Sequence, residues 1–183
     1  MKTVMNTYNH KIFDPMEMTC EDVDILDIAH ALSMLCRGCG HVQFFYSVGL
    51  HSINCALEAQ ARNYPPKIQL ACLLHDASEA YISDIIRPVK QHLPKYQEIE
   101  HNILSTIFQA FGLELSFIEQ KMIKEIDDQM LANEMPIIFS THNLDSIPPL
   151  QSQPTIKELP FAEVKQRFLA LFATLNEKND RSC

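Results

Sequence analysis

At 183 residues, the chain is long enough for one domain with a sizeable core, and nothing in it forces a second. Its composition is 46% hydrophobic and 21% charged with only four glycines, too few for the turns of a many-stranded fold, which points to an all-α, single-domain helical bundle. The formal charge of −8 argues against a protein whose main work is gripping nucleic-acid backbone, while leaving local basic residues to bind a small phosphate.

Residues 1–18 show no periodicity and read as an irregular lead-in with a turn at Asp14-Pro15. Thr19 followed by Asp22 resembles a capping arrangement for a helix carrying Ile25, Ile28, Ala29, Leu32 and Leu35, ending near Arg37-Gly38. A linker through Gln43 to Tyr46 leads to a second helix from about Ser47 to Arg62, closed by Asn63-Tyr-Pro65-Pro66. On it His51 shares a face with Val48, Ser52, Cys55 and Ala59, small neighbours that let another helix approach. Taken alone, such a histidine is more often a hydrogen-bonded core residue than a ligand.

The third helix, from about Pro66, is the centre of the pattern. Leu70, Leu74, Ala77 and Tyr81 recur at the helical period, and at about 100° per residue His75, Asp76 and Glu79 fall on the opposite side. Because Leu70 to Leu74 is apolar all round, that helix is expected to be enclosed, with the polar trio facing a cleft rather than solvent. Arg87-Pro88 breaks or kinks the chain beyond it. A helix over Lys95–Phe111 presents Ile99, Ile103, Ile107 and Phe111 and stops at Gly112. The next, Ser116–Glu134, has Ile123, Ile126, Met130 and Leu131 inward. Asp127 falls within that stripe and Asp128 outside it, and an acid on an apolar face needs a positive partner. Residues 135–159 contain four prolines and read as a long irregular connection. A last helix near Phe161–Leu175 closes the bundle before a polar, frayed tail after Asn176.

No N-terminal apolar run resembles a signal peptide, and no window approaches the roughly 20 apolar residues of a membrane span, so a cytoplasmic protein is expected. In that setting the six cysteines are read as free packing thiols. Cys36-Arg-Gly-Cys39 is half of a zinc motif without a second half.

His51, His75, Asp76 and Asp127 are then two imidazoles and two carboxylates on the inner faces of three helices. This mixed nitrogen and oxygen set suits one divalent ion (Mn, Co, Fe, Ni, Zn or Mg) with positions left for water and substrate.

The order His51, His75-Asp76, Asp127 resembles the H…HD…D signature of the HD-domain metal-dependent phosphohydrolases, an all-α family. The run from His75-Asp-Ala-Ser-Glu79 through Asp84 to Arg87-Pro88-Val-Lys90 is similar to the bacterial 5′-deoxynucleotidase branch and to related phage deoxynucleotide triphosphohydrolases. So are Phe13-Asp-Pro15, Asp27-Ile-Ala-His30 and Phe45-Tyr-Ser-Val48 upstream. The resemblance covers most of residues 7–134. It implies that His51, His75, Asp76 and Asp127 hold one metal, that Glu79 and Asp84 serve proton transfers, and that Arg37, Lys90 and Lys124 hold phosphate oxygens. It implies a nucleotide phosphohydrolase, first a 5′-nucleotidase acting on nucleoside monophosphates and second a triphosphohydrolase. The same fold also supports nucleotide-binding regulators without turnover and two-iron oxygenases. The deoxynucleotidase branch places a tryptophan after the arginine. Here Gly38 stands there and the chain has no tryptophan, so no preference between deoxyribose and ribose follows. The expected partners are a small-molecule nucleotide and further copies of the chain, with no stable nucleic acid and no membrane.

Overall fold

The structure is a computed structural model that describes residues 3–140 and 149–180. It is all-α, apart from a two-residue hairpin in which β1 (Met5–Asn6) pairs antiparallel with β2 (Ile12–Phe13). That hairpin replaces the expected irregular lead-in. It is pinned by Asn9, whose backbone N–H donates to Asp27 and whose side chain donates to Asp24.

Eight α-helices follow among the described residues: α1 (Ile25–Met34), α2 (Val48–Ala61), α3 (Pro66–Leu74), α4 (Glu79–Ile82), α5 (Arg87–Lys90), α6 (Pro94–Ala110), α7 (Phe117–Ile138) and α8 (Phe161–Asp180). Helices α1, α2, α3, α7 and α8 pack against one another around one continuous apolar cluster. Every residue from Ile68 to Leu74 except the partly polar Gln69 is at most 2% exposed, so α3 is enclosed as its all-round apolarity demanded. Close approach of α1 and α2 depends on Gly49, where a Cβ would lie 3.1 Å from the Leu32 backbone. None of the described helices is long and apolar enough to cross a membrane.

Several boundaries differ from the pattern in the sequence, each for a local reason. Thr19 and Asp22 do bond each other, but the side chain that caps α1 is Asp24, which accepts from the Leu26 N–H. Helix α3 stops at Leu74. The chain then tightens into successive i→i−3 bonds, Ala77 to Leu74 and Glu79 to Asp76, before the single turn of α4. Arg87-Pro88 opens the short helix α5, with proline at its first turn where no N–H is needed. Helix α7 begins with a full capping box, Ser116 with Glu119, and runs four residues past the expected end, through Pro136 to Ile138. Helix α8 likewise continues to Asp180 over much of the expected frayed tail. The residues from Gln151 to Thr155 are anchored to α2: Glu58 accepts from the backbone of Gln151 and Ser152 and from the Ser152 hydroxyl, and Asn54 bonds both ways with Thr155. Pro148 and Cys183 lie outside the described residues.

Candidate metal centre

Four residues from three parts of the chain converge on one point. His51 comes from the second turn of α2, whose N-terminus is set by the Ser47 side chain accepting from the Leu50 N–H. His75 and Asp76 come from the tight turns after α3, and Asp127 from the middle of α7. His51 Nε2 lies 3.3 Å from Asp127 Oδ1 and 3.9 Å from Asp76 Oδ2. His75 Nε2 lies 3.2 Å from Asp76 Oδ2 and 3.8 Å from Asp127 Oδ1. The structure therefore brings together the four residues singled out by periodicity. Asp128 faces away, with a side chain 46% exposed against 16% for Asp127.

Each imidazole is held by its other nitrogen. His51 Nδ1 lies 2.9 Å from both oxygens of Glu134, and His75 Nδ1 lies 2.8 Å from the Cys72 carbonyl. A carbonyl and an ionised carboxylate can only accept, so both Nδ1 atoms carry the proton and both Nε2 atoms face the point of convergence. Glu134 is fully buried and also accepts from the Tyr46 hydroxyl at 2.6 Å. It escaped the sequence reading, although it lies seven residues after Asp127 and hence two turns along the same face.

Electrostatics follow from this crowding. Burial and Arg37 oppose a charge on His51, but Glu134 and Asp127 outweigh them and its pKa is raised. Burial likewise opposes a charge on His75, and Asp76 and Asp127 raise its pKa well above the ordinary value. Burial alone would raise Asp76 and Asp127; the two imidazoles reverse this and hold both well below the usual carboxylate range. His75 Nε2, despite its 3.2 Å approach to Asp76, makes no hydrogen bond and is buried. Cys55, one turn after His51, brings its Sγ to 3.6 Å from His51 Nε2, and His51, Cys55 and His75 form a group whose donor atoms all lie within 4.8 Å. Burial and the carboxylates Glu134 and Asp127 push its thiol pKa well up. A cluster of inward nitrogen, oxygen and sulfur donors with an orphaned imidazole nitrogen fits a divalent cation.

The site opens into a cavity of about 390 Å³. Its lining combines charged side chains, among them Arg37, Asp76, Glu79, Asp84, Lys90 and Asp127, with apolar ones that include Leu131, Met135, Ile138 and Phe139. Arg37 is placed by backbone pairing of the loop after α1 with the start of α2, its N–H donating to the Tyr46 carbonyl at 2.8 Å. Its guanidinium is 3.4 Å from Asp76 and 3.9 Å from Glu134, so it is a buried cation rather than a solvated one. Lys90 reaches Glu100 at 2.6 Å and Glu79 at 3.8 Å. Glu79 is buried with one oxygen unpartnered, and burial plus the charges of Asp76 and Asp84 raise its pKa well above normal. Asp84 follows Ser83, whose φ of +70° is strained for a residue with a Cβ and turns the chain sharply out of α4. Burial raises Asp84 as well. Lys124 is not among the lining residues; it bonds the outer oxygen of Asp127 at 3.2 Å and also pairs with Asp128. Arg87 lines the cavity and reaches the same outer oxygen at 3.3 Å. Cys20 and Cys39 are exposed, unlike the buried Cys55 and Cys72, so only some of the thiols are packing residues. Of the remaining histidines, His41 lines the cavity and His30 stacks on Tyr8 at 3.8 Å between ring centroids.

No family model matches the chain. Two relatives do. Uncharacterized protein YfdR of Escherichia coli strain K12 is 35% identical over 130 residues, which span 71% of this chain and 69% of that one. Uncharacterized protein RCAP_rcc00048 of Rhodobacter capsulatus is 37% identical over 106 residues, 55% of this chain and 54% of that one. At that identity across more than two thirds of both sequences, the chain belongs to the same family as Escherichia coli YfdR.

Proposed function

We propose that the protein is an HD-type, metal-dependent phosphohydrolase acting on nucleotides, first of all as a 5′-nucleotidase releasing phosphate from nucleoside monophosphates. The observation that carries this reading is the meeting of His51, His75, Asp76 and Asp127 beside a cavity lined by both charged and apolar side chains. Such a cavity suits a ligand with an anionic head and a flat, weakly polar body. His51, His75, Asp76 and Asp127 would hold the ion, and a divalent ion there would supply Lewis-acid activation of water and of the phosphoryl group.

The chain's own residues account for the rest. Arg37 and Lys90 would hold phosphoryl oxygens by charge-assisted hydrogen bonds, each contributing on the order of 2–4 kcal/mol to transition-state binding. Lys124, bonded to Asp127 and Asp128, would bear on phosphate only by leaving them, and in its present place it orients the Asp127 carboxylate. Glu79, with a pKa raised by burial, Asp76 and Asp84, is suited to carry a proton to the leaving oxygen, and Asp84 to take one from the attacking water.

Phosphate release measured across a panel of nucleoside mono- and triphosphates, with chelator and with added divalent ions, tests the reading. Metal-dependent release from monophosphates is expected. Glu79→Ala and Asp84→Ala should each lose about 10²–10⁴-fold in turnover while keeping bound metal. Tight nucleotide binding without any turnover would replace this reading by a regulatory one.

A further inference from the structure

We infer that Cys55 is itself a ligand of the ion at this centre, which makes the site selective for thiophilic divalent metals over magnesium and manganese. The inference rests on the metal-site reading above and goes beyond its nitrogen and oxygen ligands.

Three observations carry it. Cys55 lies one turn after His51 on α2, so both side chains leave the same helix face. It is 1% exposed, and its Sγ stands 3.6 Å from His51 Nε2 and within 4.8 Å of a ring nitrogen of His75. With metal–nitrogen and metal–sulfur bonds of about 2.1 and 2.3 Å, and ligand angles of about 90° to 120°, the nitrogen and sulfur ligands of one ion are separated by about 3.1–3.8 Å. The observed spacing falls in the range for two donors to one ion, and it is equally that of the Cys55 thiol donating to His51 Nε2. Independently, His75 Nε2 is a buried polar atom without a hydrogen-bond partner, aimed at the same point.

The chemistry is a simple exchange. As the ion enters, the thiol proton leaves to solvent, a sulfur lone pair forms the bond to the metal, and no electron is transferred. A thiolate is a soft donor that favours zinc and cobalt, whereas an all-oxygen and imidazole set also serves manganese and magnesium. A small packing residue would fill the same space without this consequence, and that is the alternative to be tested.

The full-length protein, stripped by chelation and kept reduced, is titrated with Co²⁺ and followed by absorption. A thiolate bonded to Co²⁺ gives an intense near-ultraviolet charge-transfer band that nitrogen and oxygen ligands do not give. The expected result is that band saturating at one ion per chain, absent from Cys55→Ser and retained in Cys36→Ser and Cys39→Ser. Cys55→Ser should still bind one Co²⁺, and its preference for Zn²⁺ over Mn²⁺ should fall by at least the roughly 10-fold that loss of even an outer-shell partner costs. One bound Co²⁺ in the unsubstituted protein without the band overturns the inference and leaves the metal site standing. No stoichiometric Co²⁺ binding overturns the metal site and the inference with it. A band that survives in Cys55→Ser assigns the thiolate elsewhere and overturns the inference alone. The unsubstituted spectrum decides between the first two outcomes even if Cys55→Ser fails to fold.

Discussion

His51 and His75 each have one ring nitrogen tied to a fixed acceptor and the other turned inward, so their orientation does not depend on the ligand they meet. His75→Ala or Asp127→Ala is expected to abolish bound metal and activity while leaving helical circular dichroism intact, since each removes one donor but little core. Elemental analysis that finds metal unchanged in both variants would refute the ligand set. Glu134 separates two roles. Glu134→Gln keeps the shape but weakens the hold on His51, and a 10–100-fold loss of metal affinity is expected. Glu134→Ala also removes the buried carboxylate that faces His51 and Arg37 and leaves the Tyr46 hydroxyl with Asn54 alone, and destabilisation of about 3–5 kcal/mol should appear in urea unfolding. Of these residues, Asp127 was legible in the sequence because 100° per residue separates it from Asp128. Glu134 was not, because it stood at the end of the helix read from the sequence, and only the packing of α7 on α2 sets it beside His51.

At the scale of elements, the connection into α8 is held to α2 by Glu58, a buried carboxylate that accepts from two backbone N–H groups, the Ser152 hydroxyl and the Arg62 guanidinium. Burial tends to raise its pKa, and these donors outweigh burial, led by Ser152, so the pKa is lowered on folding. A carboxylate with a lowered native pKa contributes stability that is fully present above its unfolded value of about 4.3 and is lost as pH falls through the native value. Glu58→Gln should therefore be less stable than the unsubstituted protein at neutral pH, with the gap closing below about pH 4. A gap that stays constant down to pH 3 in thermal melts would contradict this. The helices themselves were legible from their stripes. Their ends were not, because α3 gives way to tighter turns at His75 and α7 continues through Pro136, outcomes set by what packs around them.

Across the whole molecule, the donors of the centre come from α2, from the turns after α3 and from α7, so one ion would tie three separate parts of the chain together. A ligand that binds only the folded chain stabilises it by about 2.7 kcal/mol at 100 times its dissociation constant. For a chain of this length that is a rise in Tm of about 5–10 °C. The rise should follow the metal titration, vanish with chelator and be absent in Asp127→Ala. A Tm indifferent to every divalent ion would argue against the centre.

Composition and hydrophobic period by themselves determined an all-α chain, an enclosed third helix and the inward placement of His51, His75, Asp76 and Asp127, because each of these depends on residues within a few turns of one another. Tertiary structure alone decided that Arg37 is a buried cation beside Asp76, that Glu134 steadies His51, that Arg87 lines the cavity while Lys124 stays outside it, and that Cys55 comes near His75 as well as His51. These contacts join residues as much as 97 positions apart, Arg37 to Glu134, and only the packing of whole helices sets such distances.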